Sequence, residues 1–153
     1  MLSIAVASEH QLDEIRAMLD EYEAELAVDL CFQKFEEERA SLPGRYAPPS
    51  GALLVALDGE EVVGCGALRD LGDGICEIKR MYIRPPHRKN GLGRRILDEL
   101  INRAKTIGYT TVRLDTLARL TPALALYESS GFLRIEPYNY NPEADIVYLE
   151  KPL

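Results

Sequence analysis

Apolar residues Leu12, Ile15, Leu19, Tyr22 and Leu26 recur at helical spacing along an otherwise charged segment and predict an amphipathic helix. Ser8 stands ahead of the stripe as a cap, and Gln11 completes a capping box with it. Ser3 to Ala7 reads as a short strand before that helix. A second, weaker helix is expected from about Phe32 to Leu42, stopped by Pro43-Gly44 and followed by an irregular loop from Arg45 to Gly51. The pattern then changes to strands. Ala52 to Leu57 turns at Asp58-Gly59 into Val62 to Leu71, an antiparallel hairpin by its turn chemistry. Gly72-Asp73-Gly74 leads into a third strand, Ile75 to Ile83, which Pro85-Pro86 must end because proline has no amide hydrogen for the ladder.

A long helix is expected to start near Gly91, burying Leu92, Ile96, Leu97, Leu100, Ile101 and Ala104, with Gly108 just past its end. Thr110 to Asp115 reads as a strand. Thr121-Pro122 reads as a cap followed by proline at the first helical position, opening a short helix through Tyr127 to Ser130 that Gly131 closes. Strands near Phe132 to Ile135 and Ile146 to Glu150 complete the order β-α-α-β-β-β-α-β-α-β-β, an α/β fold with a mixed sheet covered by helices. With no repeat or linker, the 153 residues are read as one domain, 1–153, able to bury roughly two-thirds of its unfolded surface.

Composition narrows the function. Apolar residues are 46% and charged residues 28%, and no stretch approaches the ~18 consecutive apolar residues of a membrane span. Carboxylates close behind Met1 argue against a secretion signal. Cys31, Cys65 and Cys76 show no metal-like spacing and read as reduced thiols, so a cytoplasmic location is expected, with no metal. The net charge of −7 argues against a nucleic-acid partner. Yet Lys79 to Arg95 holds no acidic residue and seven basic ones, Lys79, Arg80, Arg84, Arg88, Lys89, Arg94 and Arg95, which points to a small anionic ligand or a solvated basic loop.

That ligand has an obvious place to bind. Where a loop enters a helix, the first-turn amides lack intrahelical partners and carry the positive end of the helix dipole. Gly91 and Gly93 let a bulky anion approach this backbone, and Arg88, Lys89 and Arg94 flank it. A nucleotide P-loop would need lysine then Ser or Thr, and a dinucleotide fingerprint a third glycine where Ile96 stands.

Arg88-x-x-Gly91-x-Gly93, after a strand and opening an amphipathic helix, resembles the acyl-CoA-binding motif of the GNAT superfamily of N-acyltransferases. Leu126-Tyr127-Glu128-Ser129-Ser130-Gly131-Phe132 is similar to a second stretch of that family, and the element order matches over essentially the whole chain. The resemblance implies a mixed, mostly antiparallel central sheet flanked by helices. It implies acetyl-CoA as co-substrate, with its pyrophosphate on the loop of Arg88, Lys89, Asn90, Gly91, Leu92, Gly93 and Arg94. The pantetheine arm would run along Met81, Tyr82 and Ile83, the Met81 or Ile83 amide polarising the thioester carbonyl as an oxyanion-type donor.

An amine with pKa near 10.4 is neutral in roughly one molecule in two thousand at pH 7, so a general base helps. The resemblance implies two candidates. Glu77 stands where GNAT histone acetyltransferases carry their glutamate; its structural alternative is an ion pair with Lys79. Asp115 ends the next strand, where ribosomal-protein amino-terminal acetyltransferases carry a glutamate. Tyr127 falls at the tyrosine that protonates the leaving thiolate. Many members have an asparagine where this chain has Leu120, so that cofactor contact is lost or replaced. His10 and His87 are read as surface residues, and Cys65 and Cys76 as small core side chains.

The acceptor is read as the primary amine of a small molecule, selected by Tyr22 to Gly51 and Tyr138 to Asp145, with Arg45, Tyr46, Tyr138 and Tyr140 as pocket candidates. Lys79, Arg80 and Arg113 would suit a carboxylated acceptor unless they are paired internally. A protein or peptide acceptor, and a non-catalytic acyl-CoA-binding module, are the alternatives; no membrane partner is expected, and a homodimer is left open.

Overall fold

The computed structural model describes residues 1–27 and 34–153. Cys31 and Phe32, where the second helix was expected to begin, lie outside the described residues. Strand β1 (Leu2–Val6) leads to α1 (Leu12–Leu26), and α2 (Phe35–Ser41) precedes β2 (Ala52–Asp58), β3 (Glu61–Gly72) and β4 (Ile75–Ile83). Then come α3 (Leu92–Ile107), β5 (Thr111–Leu117), α4 (Thr121–Ser129), β6 (Leu133–Ile135) and β7 (Ile146–Pro152). The seven strands form one sheet in the order β1-β2-β3-β4-β5-β7-β6, antiparallel throughout except where β4 meets β5. The expected element order is the observed one.

Local chemistry accounts for most element ends. The Ser8 amide donates to the Gln11 side chain at 2.9 Å, and the capping box opens a single 3-10 turn before α1. Gly91 caps α3 at φ +85° and Gly108 ends it at φ +113°, both in the left-handed region that favours glycine. One boundary differs from expectation. The Leu120 carbonyl accepts the Leu124 amide at 3.0 Å, so Leu120 is the cap of α4 and Thr121 is already helical.

Strand alternation divides the core in two. One face of the sheet, including Leu54, Val63, Ile78, Val112 and Leu114, packs under α3 through Leu92, Ile96, Leu97 and Leu100. Gly66 makes room for this helix, since a Cβ there would stand 2.7 Å from Ile96 Cγ2. The opposite face, including Val55, Cys65, Ala67 and Tyr82, packs under Ile15, Met18 and Leu19 of α1 and Phe35 of α2.

The sheet is interrupted at one place. β4 pairs with β5 only from Ile75 to Glu77, against Thr111 to Arg113, although β4 continues to Ile83 and β5 to Leu117. Just beyond, β4 sets Arg80 and Met81 against the single residue Gly66 of β3, a bulge with Arg80 at φ +58°. An extra residue on one strand bends it and increases its twist, which directs β4 away from β5.

Because Leu100 is fully buried beneath α3 while Ile107 is 39% exposed, the two should respond differently to truncation. Leu100→Ala is expected to lower unfolding free energy in urea by about 2–5 kcal/mol. Ile107→Ala is expected to change it by less than about 1 kcal/mol.

Candidate active site

The parting of β4 and β5 opens a cleft. Its walls include Ile78, Lys79, Arg80 and Met81 from β4 and Leu114 to Leu117 from β5. Tyr22 and Leu26 of α1, Leu120, Ala123 and Tyr127 at α4, and Asn141, Glu143 and Ile146 after β6 complete it. The Arg84 amide donates to the Val63 carbonyl at 2.9 Å, so strand alternation turns the Ile83 amide the other way, into the opening. Backbone donors of β4 that β5 would otherwise occupy are thus available to a ligand.

After β4 the chain runs through the helix-entry loop into α3. The amides of Lys89, Asn90 and Gly91 have no hydrogen-bond acceptor among the described residues, and those of Gly93 and Arg94 belong to the first turn of α3, where no intrahelical partner exists. Lys89 at φ +65° and Gly91 at φ +85° curl the backbone so that successive amides converge. Only Leu92 is locally satisfied, by Asn90 Oδ1 at 3.3 Å. The flanking arginines have other work. Arg88 donates to the Ile83 carbonyl at 2.7 Å, pairs with Glu25 and lies over the Tyr82 ring. Arg94 donates to Ser129 Oγ at 2.6 Å, tying α3 to α4. An anion at this loop would therefore meet the backbone and Lys89, with Arg88 and Arg94 bracing the loop.

The two candidate bases occupy different surroundings. Glu77 is fully buried and does not line the cleft. Its Oε1 accepts from Arg69 at 2.8 Å, and its Oε2 accepts the Tyr138 hydroxyl at 2.6 Å. Arg69 sits opposite Glu77 in the β3–β4 ladder, so this ion pair runs across the hairpin, and the Glu77 charge also acts favourably on the ammonium of Lys79. Asp115 lines the cleft, half-buried, and accepts a long bond from Asn139 Nδ2 at 3.4 Å.

Tyr127 is buried at the cleft wall, stacked edge-on against Phe132, with its hydroxyl 3.7 Å from the Met81 sulfur. Burial, reinforced by Tyr22 and Asp115, pushes its phenol well above the ordinary range, so it stays protonated as a donor. A thioether is a weak acceptor, which leaves that donor available to a better one. The buried thiols are inert by comparison: burial pushes Cys65 and Cys76 up to about 12. His10 is exposed and His87 half-buried in the proline loop, neither in the cleft.

Most cations on the acceptor side are internally paired. Arg80 reaches both carboxylate oxygens of Glu38 at 2.8 and 3.0 Å and lies over the Phe35 ring, while Arg113 donates to Glu150 at 2.8 Å. Lys79 lines the cleft, and burial pulls its ammonium below the usual range. Arg45 is turned to the Asp70 carbonyl, and Tyr140 is 78% exposed. Tyr46 is buried, its hydroxyl without a hydrogen-bond partner among the described residues. Sequence reasoning missed Arg69, although counting outward from the Gly72-Asp73-Gly74 turn brings it to Glu77. It also missed Asn139 as the neighbour of Asp115, for which no local pattern existed. Among the described residues, no group of His, Cys, Asp or Glu is arranged to hold a metal ion.

The sequence model of the acetyltransferase (GNAT) family matches residues 12–132. An uncharacterized N-acetyltransferase of Schizosaccharomyces pombe is 40% identical over 147 residues, covering 95% of this chain and 90% of its own. An IAA acetyltransferase of Azospirillum brasilense is 36% identical over 109 residues, 70% of this chain and 71% of its own. The PaiA N-acetyltransferase of Thermoplasma acidophilum, solved in complex with coenzyme A, shares the fold with a TM-score of 0.79 at 16% identity, over 100% of this chain and 99% of that one. A parted β4–β5 pair facing a loop of unpartnered amides, in a chain with these relatives, leads to one assignment: this protein belongs to the GNAT family and is an N-acetyltransferase.

Proposed function

We propose that the protein moves an acetyl group from acetyl-CoA to the primary amine of a small molecule by direct attack, with Asp115 as general base and Tyr127 as the donor to the leaving sulfur. The observation that carries this reading is that Asp115 and Tyr127 line one cleft, which begins where β5 leaves β4. The loop amides from Lys89 to Arg94 hold the diphosphate, and the backbone of Met81 to Ile83, beyond the reach of β5, holds the pantetheine arm. Family relatives solved with coenzyme A bound support this use.

In the reaction, Asp115 takes a proton from the acceptor amine as its nitrogen lone pair attacks the thioester carbonyl carbon. A β4 amide, Met81 or Ile83, donates to the oxygen on which negative charge develops; such a donor can contribute about 10²–10³ in rate. As the carbon–sulfur bond breaks, the Tyr127 hydroxyl turns from Met81 to the departing thiolate and delivers its proton, giving the amide and free thiol. Glu77 fits the base role less well, because Arg69 and Tyr138 already occupy its two oxygens. The IAA acetyltransferase relative supports a small acceptor, and Asp115 and Glu143 give the cleft carboxylates suited to an ammonium group.

With a panel of amines and acetyl-CoA, free-thiol release should fall at least about tenfold for Asp115→Asn and for Tyr127→Phe, while calorimetric affinity for acetyl-CoA stays near wild type. Unchanged turnover in both variants would remove the assignment. Gly91→Ala places a side chain at φ +85° and should weaken acetyl-CoA binding by about tenfold. A protein giving no calorimetric signal with millimolar coenzyme A would contradict the reading of the loop.

A further inference from the structure

We infer that Glu77 is an anchor rather than a proton acceptor: with Tyr138 it latches the connection between β6 and β7 onto the sheet, and Tyr138 is thereby a positioning residue for acceptor binding. This rests on the reading of the β4–β5 cleft as the acceptor site.

The connection leaves β6, a three-residue edge strand, and returns to the sheet at Ile146. It is fastened at both ends. At the far end the Asp145 carbonyl accepts the Ala118 amide at 2.7 Å, and its carboxylate pairs with Arg119 at 3.2 Å. At the near end the chain dips into the sheet at Tyr138. This ring meets Tyr148 edge-on with centroids 5.2 Å apart, Arg113 lies over its face at 5.4 Å, and its hydroxyl donates to Glu77 Oε2 at 2.6 Å. Between the two attachments lie Asn141 and Glu143, which face the cleft.

The phenol–carboxylate bond is the polar part of the near attachment. Arg69 holds Glu77 Oε1, which fixes the rotamer and aims Oε2 at the phenol, so both carboxylate oxygens are used in holding the loop. The next residue, Asn139, has an attachment of its own beside this one: Tyr148 donates to its Oδ1 at 2.9 Å, which turns Nδ2 toward Asp115. Consecutive residues thus join the loop to the two carboxylates, one to anchor it and one to meet the proposed base.

Tyr138→Phe keeps the ring and removes only the hydroxyl. With an amine found in the panel, the acceptor KM should rise at least about fivefold, with kcat and the acetyl-CoA dissociation constant within about twofold of wild type. Glu77→Gln retains hydrogen-bonding partners for both Arg69 and Tyr138, so its kcat should also stay within about twofold. Hydrogen exchange needs no turnover, and in Tyr138→Phe the amides of residues 136–145 should exchange faster than in wild type while those of α3 do not. A tenfold or greater loss of kcat in Glu77→Gln with Tyr138→Phe unaffected would make Glu77 the base and overturn the anchor. Unaltered exchange of the loop in Tyr138→Phe would overturn the latch whether or not the protein acetylates amines. Loss of the acetyltransfer reading alone would show as absent turnover with the exchange difference intact.

Discussion

The whole site depends on three rungs of parallel ladder between β4 and β5, and on their ending at Glu77 and Arg113. Had the strands remained paired, the amides of β4 would be spent within the sheet, and no cleft would separate Met81 from Leu114. The bulge at Arg80 and Met81 turns β4 aside. A non-glycine residue in the left-handed region costs about 1–3 kcal/mol and persists only when its surroundings hold it there. Here Arg80 is held by both oxygens of Glu38 and by the Phe35 face, so α2 and the bulge support each other.

A second constraint comes from charge buried at the sheet. Isolated ions would be very costly there, and Glu77 is met by Arg69 and Arg80 by Glu38, while Arg113 pairs with Glu150 in a less buried setting. These pairs join β3 to β4, β4 to α2, and β5 to β7. Such pairs add little net stability, but breaking one leaves an uncompensated charge, so they specify how the elements sit around the cleft. The pairing also removes Arg80 and Arg113 from the cations available to a carboxylated acceptor. Asp115, Glu143 and Lys79 line the cleft.

The fold was largely legible along the chain because its signals are local. The stripe from Leu12 to Leu26, the face from Leu92 to Ala104 and the turns at Asp58-Gly59 and Gly72-Asp73-Gly74 each reflect periodicity or backbone chemistry within a few residues. The helix-entry loop was legible for the same reason, since glycines after a strand are enough to expose amides. Boundaries were less so: Leu120 caps α4 because of a backbone bond that no residue type announces.

By itself, then, the sequence determined the order of elements and the glycine-shaped entry to α3 at Gly91, because each depends on neighbours in the chain. What favours Asp115 over Glu77 as the proposed base came only from the tertiary structure. Both carboxylates lie on strands of similar pattern, and what separates them is burial and partners brought from elsewhere: Arg69 across a hairpin, Tyr138 and Asn139 from a connection that follows much later. Whether a carboxylate can take up a proton depends on which groups already occupy its oxygens, and that is set by packing across the sheet rather than by position along it.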